Sequence, residues 1–266
     1  MDAVPIFATA YFIAASIFLM AARVVPQLDQ FFKHGKLLKS DLNTHVPALQ
    51  KRLADIMVPK SWFAHFYHIF TALMVALWCV SGTAVHYPSR LVQLLLTLQA
   101  VRRSYESIFL TKWSALSRMH FSHYIVGLLF YVFVALIAFA GTEIQGGHLI
   151  RTDRVKAVCV SLFVIFSVDQ HKNHRHLAGL KKYTAPSAGL FSVLSCAHYF
   201  DEVMIYGSVA ALSFCLAQWS AQAMAFVSAW VFTVVNLSIS ARGTQAFYKA
   251  KFDDYRVRYA IIPYVY

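Results

Sequence analysis

Neither the ten glycines nor the four cysteines of this 266-residue chain are grouped for chemistry. No G-x-G-x-x-G and no Walker-type glycine–lysine loop occurs, and no strand–turn–helix pattern is present to carry one. A soluble-type nucleotide fold is therefore excluded. Cys79, Cys159, Cys196 and Cys215 lack metal-ligand spacing, and three of them fall in apolar runs. They read as small packing residues, with no disulfide framework. Charge is also scarce: 14% of residues are charged, and only 12 acids stand against 24 Lys and Arg, a net charge of +12. No basic–aromatic surface outside the apolar runs is large enough for RNA or DNA, which removes nucleic acid as a partner. Internal repeats and low-complexity linkers are missing too, so residues 1–266 read as a single domain.

What the chain has instead is apolar length. Hydrophobic residues make up 59% of it, mean hydropathy is +0.54, and runs near the length needed to cross a hydrocarbon core recur. The expected fold is all-α and polytopic, with seven transmembrane helices over 4–24, 62–82, 90–111, 121–141, 152–169, 202–218 and 221–239. The first run has no basic region before it and no convincing cleavage site after it, so it is expected to be retained as a span. Basic residues alternate in density between the connecting segments. Seven follow the first span (Arg23, Lys33, Lys36, Lys39, Lys51, Arg52, Lys60), and Lys112 and Arg118 follow the third. Lys172, Arg175, Lys181 and Lys182 follow the fifth, and the tail holds five more. The opposite side has only Arg90, Arg151, Arg154 and Lys156. The positive-inside rule then puts the amino terminus in the lumen or outside and the carboxy terminus in the cytosol. A cytosolic face this basic suits anionic membrane lipids or a phosphorylated cofactor.

Two connecting segments stand out. Pro47 to Met57 places Leu49, Leu53, Ile56 and Met57 opposite Lys51, Arg52 and Asp55, the pattern of a short helix lying at the cytosolic interface. Asp169 to Gly189 is the most polar stretch and is expected to be a cytosolic loop or short helix. After it, Asp201 and Glu202 stand at the start of the sixth span, where acids suit the positive end of a helix; they serve either as caps or as ligands.

The chemistry concentrates in a few places. Arg102 and Arg103 interrupt the third apolar run, with Glu106 three and four residues on, on the same helical face. A charge at mid-helix in a bilayer costs about 2.5–3.5 kcal/mol on insertion scales. The cluster either stitches helices together or forms an anion or cofactor site opening from the membrane surface. Histidines pair at His65/His68 and His120/His123 and cluster at His171, His174 and His176. A membrane di-iron enzyme would need a third histidine or carboxylates beside the pairs, so no metal is expected. If a dinucleotide binds, membrane helices must hold it. The groups available are Lys181, Lys182, Arg256, Arg258, Arg102 and Arg103 for phosphates, Tyr183, Tyr206 and Tyr248 as aromatic platforms, and Glu202 and His198 for ribose and amide.

The tail from Phe247 to Tyr266 resembles the ending of the steroid 5-alpha-reductase family. So do Tyr183-Thr-Ala-Pro186-Ser-Ala-Gly189-Leu190-Phe191 and Ser195-Cys-Ala-His198-Tyr199-Phe200-Asp201-Glu202. Val58-Pro59-Lys60-Ser61-Trp62-Phe63-Ala64-His65-Phe66-Tyr67 and Arg102-Arg103-Ser104-Tyr105-Glu106 are similar to its polyprenal/polyprenol reductase branch. The resemblance covers residue 58 to the end and is strongest in the last third. It implies a seven-helix, NADPH-dependent ene-reductase of the endoplasmic reticulum membrane. Carried over by position, the cofactor residues are Arg103, Lys181, Tyr183, His198, Glu202, Tyr248 and Arg258. Gln170 and His174 stand where the steroid branch has Asn and Asp contacts, and the tail is one residue shorter between Tyr255 and Tyr259. That branch also has a glutamate in its second span and a tyrosine in its third around the substrate carbonyl; here the positions read Phe66 and Ala100. The departure argues against a 3-oxo-steroid and leaves His65, Tyr67 and His68 as the nearest proton donors, of which His65 and Tyr67 are favoured.

Hydride addition needs a polarised double bond, and an allylic alcohol has no sink for the charge. The resemblance therefore implies a long-chain α,β-unsaturated polyprenal as substrate and dolichal as product, on the way to dolichol for protein glycosylation. Three alternatives stand beside it: a related ene-reductase acting on a sterol or enoyl thioester, an isoprenylcysteine-type methyltransferase, and a non-enzymatic lipid carrier.

Overall fold

The computed structural model describes residues 3–24, 56–81, 87–140, 152–181 and 184–262. Seven long helices carry the fold: α1 (Ala3–Val24), α2 (Phe63–Ser81), α3 (Tyr87–Phe109), α4 (Phe121–Phe139), α5 (Thr152–Gly179), α6 (Ala197–Ala217) and α7 (Ala221–Lys251). Each falls on an expected span. Five of them (α1, α2, α4, α6 and α7) are long and apolar enough to cross a membrane on length and composition alone. The remaining two, α3 and α5, carry the polar residues that meet each other inside the bundle. The protein is an all-α polytopic membrane protein.

Helix length corrects two boundaries. The polar stretch after Asp169, expected to leave the helix, continues it for ten residues to Gly179. The last span runs to Lys251 and not to residue 239. No proline or glycine interrupts either continuation before Gly179 or Gly243, so nothing in the backbone stops the helix. At 1.5 Å per residue, α5 and α7 reach roughly 42 and 46 Å, well beyond a ~30 Å hydrocarbon core. Hydropathy sees only the part in lipid, which is why the expected spans were short.

α4 lies at the centre, against α1, α2, α3 and α7, while α5, α6 and α7 pack in sequence and α1 closes onto α7. The core between them is aromatic: Phe12, Phe130 and Phe232 meet edge-on or tilted at 5.7–5.9 Å. Buried Gln93 and Gln222 donate their amides to the carbonyls of Ala138 and Ile137, at 3.0 and 2.8 Å. These carbonyls belong to the last turn of α4, where intrahelical donors run out; the Ile137 carbonyl also accepts from the Ala140 amide at 3.1 Å. At the opposite end two short strands, β1 (Met57–Pro59) and β2 (Arg118–His120), pair antiparallel with Val58 opposite Met119. They clamp the entries of α2 and α4 together. The proposed interfacial helix over Pro47–Met57 lies outside the described residues as far as residue 55, and Met57 itself is strand.

The tail folds back onto the entry of α6. The amides of Ser195 and Cys196 donate to the carbonyls of Tyr259 and Ala260 at 2.9 and 3.0 Å. Cys196, Val203, Ala241, Ala260 and Ile261 then form a second small core. Burial pushes the Cys196 thiol up to about 12, against a smaller opposing hydrogen bond with Thr244, so this cysteine is an inert packing residue. Close helix approach also depends on Gly127, where a Cβ would meet the Phe66 ring at 2.7 Å. That ring is fenced by Phe63, Tyr124 and Tyr131 and has little room to yield. Gly127→Ala should therefore lower stability by about 1–3 kcal/mol, read as a fall in thermal unfolding temperature in detergent. Phe66→Leu in the same background should restore part of the loss.

Candidate active site

Gln99, Arg102, Arg103 and Glu106 fall at i, i+3, i+4 and i+7, which places them on one stripe of α3. Glu106 is fully buried. Its Oε1 accepts from Arg102 Nη1 at 2.6 Å and from His171 Nδ1 at 3.0 Å, and its Oε2 accepts from Arg103 Nη1 at 2.5 Å and from His174 Nδ1 at 2.7 Å. Four donors fill the capacity of one carboxylate. Both histidines thereby present a protonated Nδ1 to the acid, which joins α3 to the polar continuation of α5.

The network extends through two glutamines. Arg102 Nη2 donates to Gln99 Oε1 at 2.7 Å and to Gln170 Oε1. Gln170 Nε2 in turn donates to the Glu202 carboxylate and, at 3.0 Å, to the backbone carbonyl of His198 on α6. Gln99 Nε2 also reaches Glu202 Oε2, at 3.4 Å. On the other side, Arg103 Nη2 donates to the Tyr67 hydroxyl at 2.5 Å, and its guanidinium carbon lies 4.4 Å from the centre of that ring. Two guanidinium groups thus face two carboxylates, and α2, α3, α5 and α6 meet in one charge-balanced cluster.

The cluster lies near one end of the bundle. Tyr67 lies four residues from the start of α2, Arg103 six from the end of α3 and Glu202 five from the start of α6, roughly 6–9 Å from those ends. These ends share one face with β1, β2 and the tail.

Some of its bonding capacity is unspent among the described residues. His198 Nδ1, Arg102 Nε and Arg103 Nε are buried without a partner. Only Oε2 of Glu202 is engaged, and the Tyr67 hydroxyl accepts from Arg103 while its own proton has no acceptor. A buried polar group left unmatched costs about 1–3 kcal/mol. Several of them around one spot are what a polar ligand would complete. Glu202, with a free carboxylate oxygen, and His198, with a free ring nitrogen, fit the amide and ribose of a pyridine nucleotide.

The sequence-derived residues divide into three groups. Arg103, His198, Glu202 and Tyr67 are brought together. Lys181, Tyr248 and Arg258 lie at the outer rim: Lys181 and Arg258 are exposed, and Tyr248 is half-buried with its ring 5.3 Å from that of Tyr255. Beside them a cavity of about 540 Å³ opens between Ala185–Ser187, Phe191 and Ser192 on one wall and residues 251–257 on the other. Burial raises the Tyr255 phenol that lines it. Tyr183 lies outside the described residues. His65 stands apart, exposed, with Nδ1 3.2 Å from the Tyr124 hydroxyl and its ring beside Trp62; two residues from Tyr67, it points to another side of α2.

Asp201 and Glu202 do not cap α6, whose first turn holds no acid. Asp201 is fully buried and accepts from Asn173 Nδ2 at 2.7 Å, while Glu202 joins the cluster. The sequence reading missed Gln99 as a member and left His171 in a separate cytosolic loop or short helix. The signal for Gln99 was its position one turn before Arg103 on the same stripe; for His171 it was the absence of a helix breaker before Gly179.

Glu106→Gln keeps the shape and removes the charge that pairs both arginines. Breaking a buried ion pair from one side costs roughly 3–5 kcal/mol, so a large fall in unfolding temperature is expected. Asp153, almost fully exposed in its pair with Lys156, should by contrast tolerate Asp153→Asn with no measurable change in the same assay.

A family model described as 3-oxo-5-alpha-steroid 4-dehydrogenase matches residues 118–266. That range holds α4 to α7, the rim and the 540 Å³ cavity, whereas Tyr67 and Arg103 precede it. Among curated relatives, the polyprenal reductase of Saccharomyces cerevisiae is 33% identical over 239 residues, 90% of this chain and 87% of the relative. The polyprenal reductase of Caenorhabditis elegans is 28% identical, covering 79% of this chain and 80% of the relative. The one from Drosophila melanogaster is 26% identical, covering 90% and 84%.

Proposed function

This chain belongs to the 3-oxo-5-alpha-steroid 4-dehydrogenase family, and from that premise we propose that it reduces the α-isoprene double bond of a polyprenal. The reaction is that of an oxidoreductase acting on a CH–CH group, and its product, a dolichal, leads to the dolichol used in protein glycosylation. The observation that carries this reading is the Arg103–Tyr67 pair beside Glu202 and His198, a polar site with unspent donors at the edge of an apolar bundle.

NADPH fits the residues present, and when bound it supplies the hydride. His198 and Glu202 hold its amide and ribose, Arg103 stands beside them, and the rim residues Lys181, Tyr248 and Arg258, together with Tyr183, take the phosphate-bearing half. Tyr67 acts on the substrate. As the β-carbon gains its hydrogen, the π electrons pass to the aldehyde oxygen, and the Tyr67 hydroxyl donates a hydrogen bond to that oxygen. Arg103 fixes the hydroxyl in place from the other side and offsets the negative charge that develops. A proton drawn from water ends on the α-carbon, so the substrate gains one hydride and one proton across its double bond. The isoprenoid tail lies along the apolar helices among the membrane lipids. An allylic alcohol offers no oxygen able to take up the charge, so polyprenal and not polyprenol is the immediate substrate.

The setting is the endoplasmic reticulum membrane, with the site open to the cytosol. The dense basic residues at the site's end of the bundle support that orientation. No observation in the bundle favours a 3-oxo-steroid, since Phe66 is packed into the aromatic core and offers no acid.

Purified protein should oxidise NADPH with polyprenal and not with polyprenol; the reverse preference, or no NADPH binding, would overturn the reading. Tyr67→Phe should lower kcat about 100-fold or more with NADPH affinity unchanged. His65→Ala, outside the cluster, is the companion variant: full activity assigns donation to Tyr67 alone, and loss of turnover returns His65 to the reaction.

A further inference from the structure

On α6 the residues His198, Glu202 and Tyr206 recur every fourth position, along one stripe of the helix. The first two belong to the polar cluster. Tyr206 lies one helical turn deeper, only 3% exposed, and its hydroxyl is buried without a hydrogen-bond partner among the described residues. Its ring packs edge-on against Phe130 at 5.3 Å. The Tyr131 hydroxyl lies close to that of Tyr206 without completing a hydrogen bond, and the Tyr131 ring is 5.5 Å from that of Tyr67. Beyond them the surroundings are apolar: Leu96, Ala100, Phe70, Met74 and Phe130 share the same core.

An orphaned hydroxyl in such a place is unfavourable by about 1–3 kcal/mol, and phenylalanine would fill the same volume without that cost. Tyr206 sits nine residues into α6 and Tyr131 ten residues into α4, both roughly 14–15 Å from the helix ends and deeper in the bundle than the polar cluster. What can reach it from the lipid side is the polar head of an otherwise apolar molecule.

We propose that Tyr206 is a second hydrogen-bond donor to the carbonyl oxygen of the lipid substrate, opposite Tyr67. The inference rests on the enal-reductase reading above. Two phenols from α2 and α6 then converge on the one atom that gains charge as the β-carbon is reduced, which is the arrangement that stabilises an enolate. The electrons displaced from the double bond come to rest on that oxygen until the α-carbon is protonated, and Tyr206 keeps its own proton throughout. It would also explain how a substrate whose only polar atom is an aldehyde finds its register: the two hydroxyls are polar points at the inner edge of the cluster.

Tyr206→Phe tests this with three readouts. With polyprenal, kcat should fall about 100- to 1,000-fold, the cost of one such donor, while NADPH affinity stays within twofold. Thermal stability should hold or rise, because an unmatched buried hydroxyl has been removed. Binding of a saturated isoprenoid aldehyde of farnesyl length, measured by thermal shift without NADPH, should weaken in the variant, and binding of the matching hydrocarbon should not. Turnover and aldehyde binding both within twofold of wild type would overturn the assignment. A loss of turnover accompanied by a lower unfolding temperature would overturn it too, since Tyr206 would then be structural. If wild-type protein fails to turn over polyprenal at all, the enal-reductase reading itself falls, an outcome separate from any behaviour of the variant.

Discussion

A carboxylate with no exposure to solvent, Glu106, holds the polar half of this protein together. Alone at that depth its charge would be costly, and so would Arg102 and Arg103, each by a few kcal/mol. Placed one turn apart on α3, the three groups offset one another, but a carboxylate accepts four hydrogen bonds and the arginines supply only two of them. His171 and His174 supply the others. The need to complete Glu106 therefore pins the far end of α5 to α3 and decides which residues of α5 face inward.

From that constraint the site follows. With α5 fixed, Gln170 is aligned between Arg102 and Glu202, and its amide reads a cation on one side and an anion on the other. Arg103, held by Glu106 through one nitrogen, extends another to Tyr67. The cluster is balanced in charge, which makes it tolerable in the membrane, yet its bonding capacity is incomplete at His198, Glu202 and Tyr67. Completeness in charge with incompleteness in hydrogen bonding suits a site built for a largely neutral polar fragment at its inner end. The phosphate-bearing end of a nucleotide is better matched by the exposed cations of the rim.

Much of the fold was legible because bilayers impose length. Seven runs gave seven helices, and the two with charges, α3 and α5, were also the two whose polar residues turned out to face each other. The errors shared one cause. Hydropathy marks where lipid begins and not where a helix ends, so the polar continuation of α5 to Gly179 looked like a separate loop or short helix. Detaching His171 and His174 from the span hid their role, because their facing depends on helical phase carried through from the membrane. The same limit explains the reading of Asp201 and Glu202 as possible caps: with α6 starting at Ala197, they lie past its first turn. Of the candidate donors, Tyr67 and His65 were inseparable in sequence. Two residues apart on a helix, they point to different neighbours, and only packing against α3 singled out Tyr67.

By itself the sequence determined the class, the seven long helices of the described residues and the presence of a compensated charge cluster at Arg102, Arg103 and Glu106, because these follow from local cost: an apolar run must span, and a buried charge must find an opposite one within a turn. Only the tertiary structure decided which distant groups finish that cluster and which remain unmatched. Those contacts join residues 65–103 positions apart along the chain, and no local preference encodes a partnership set by how four helices rotate against one another.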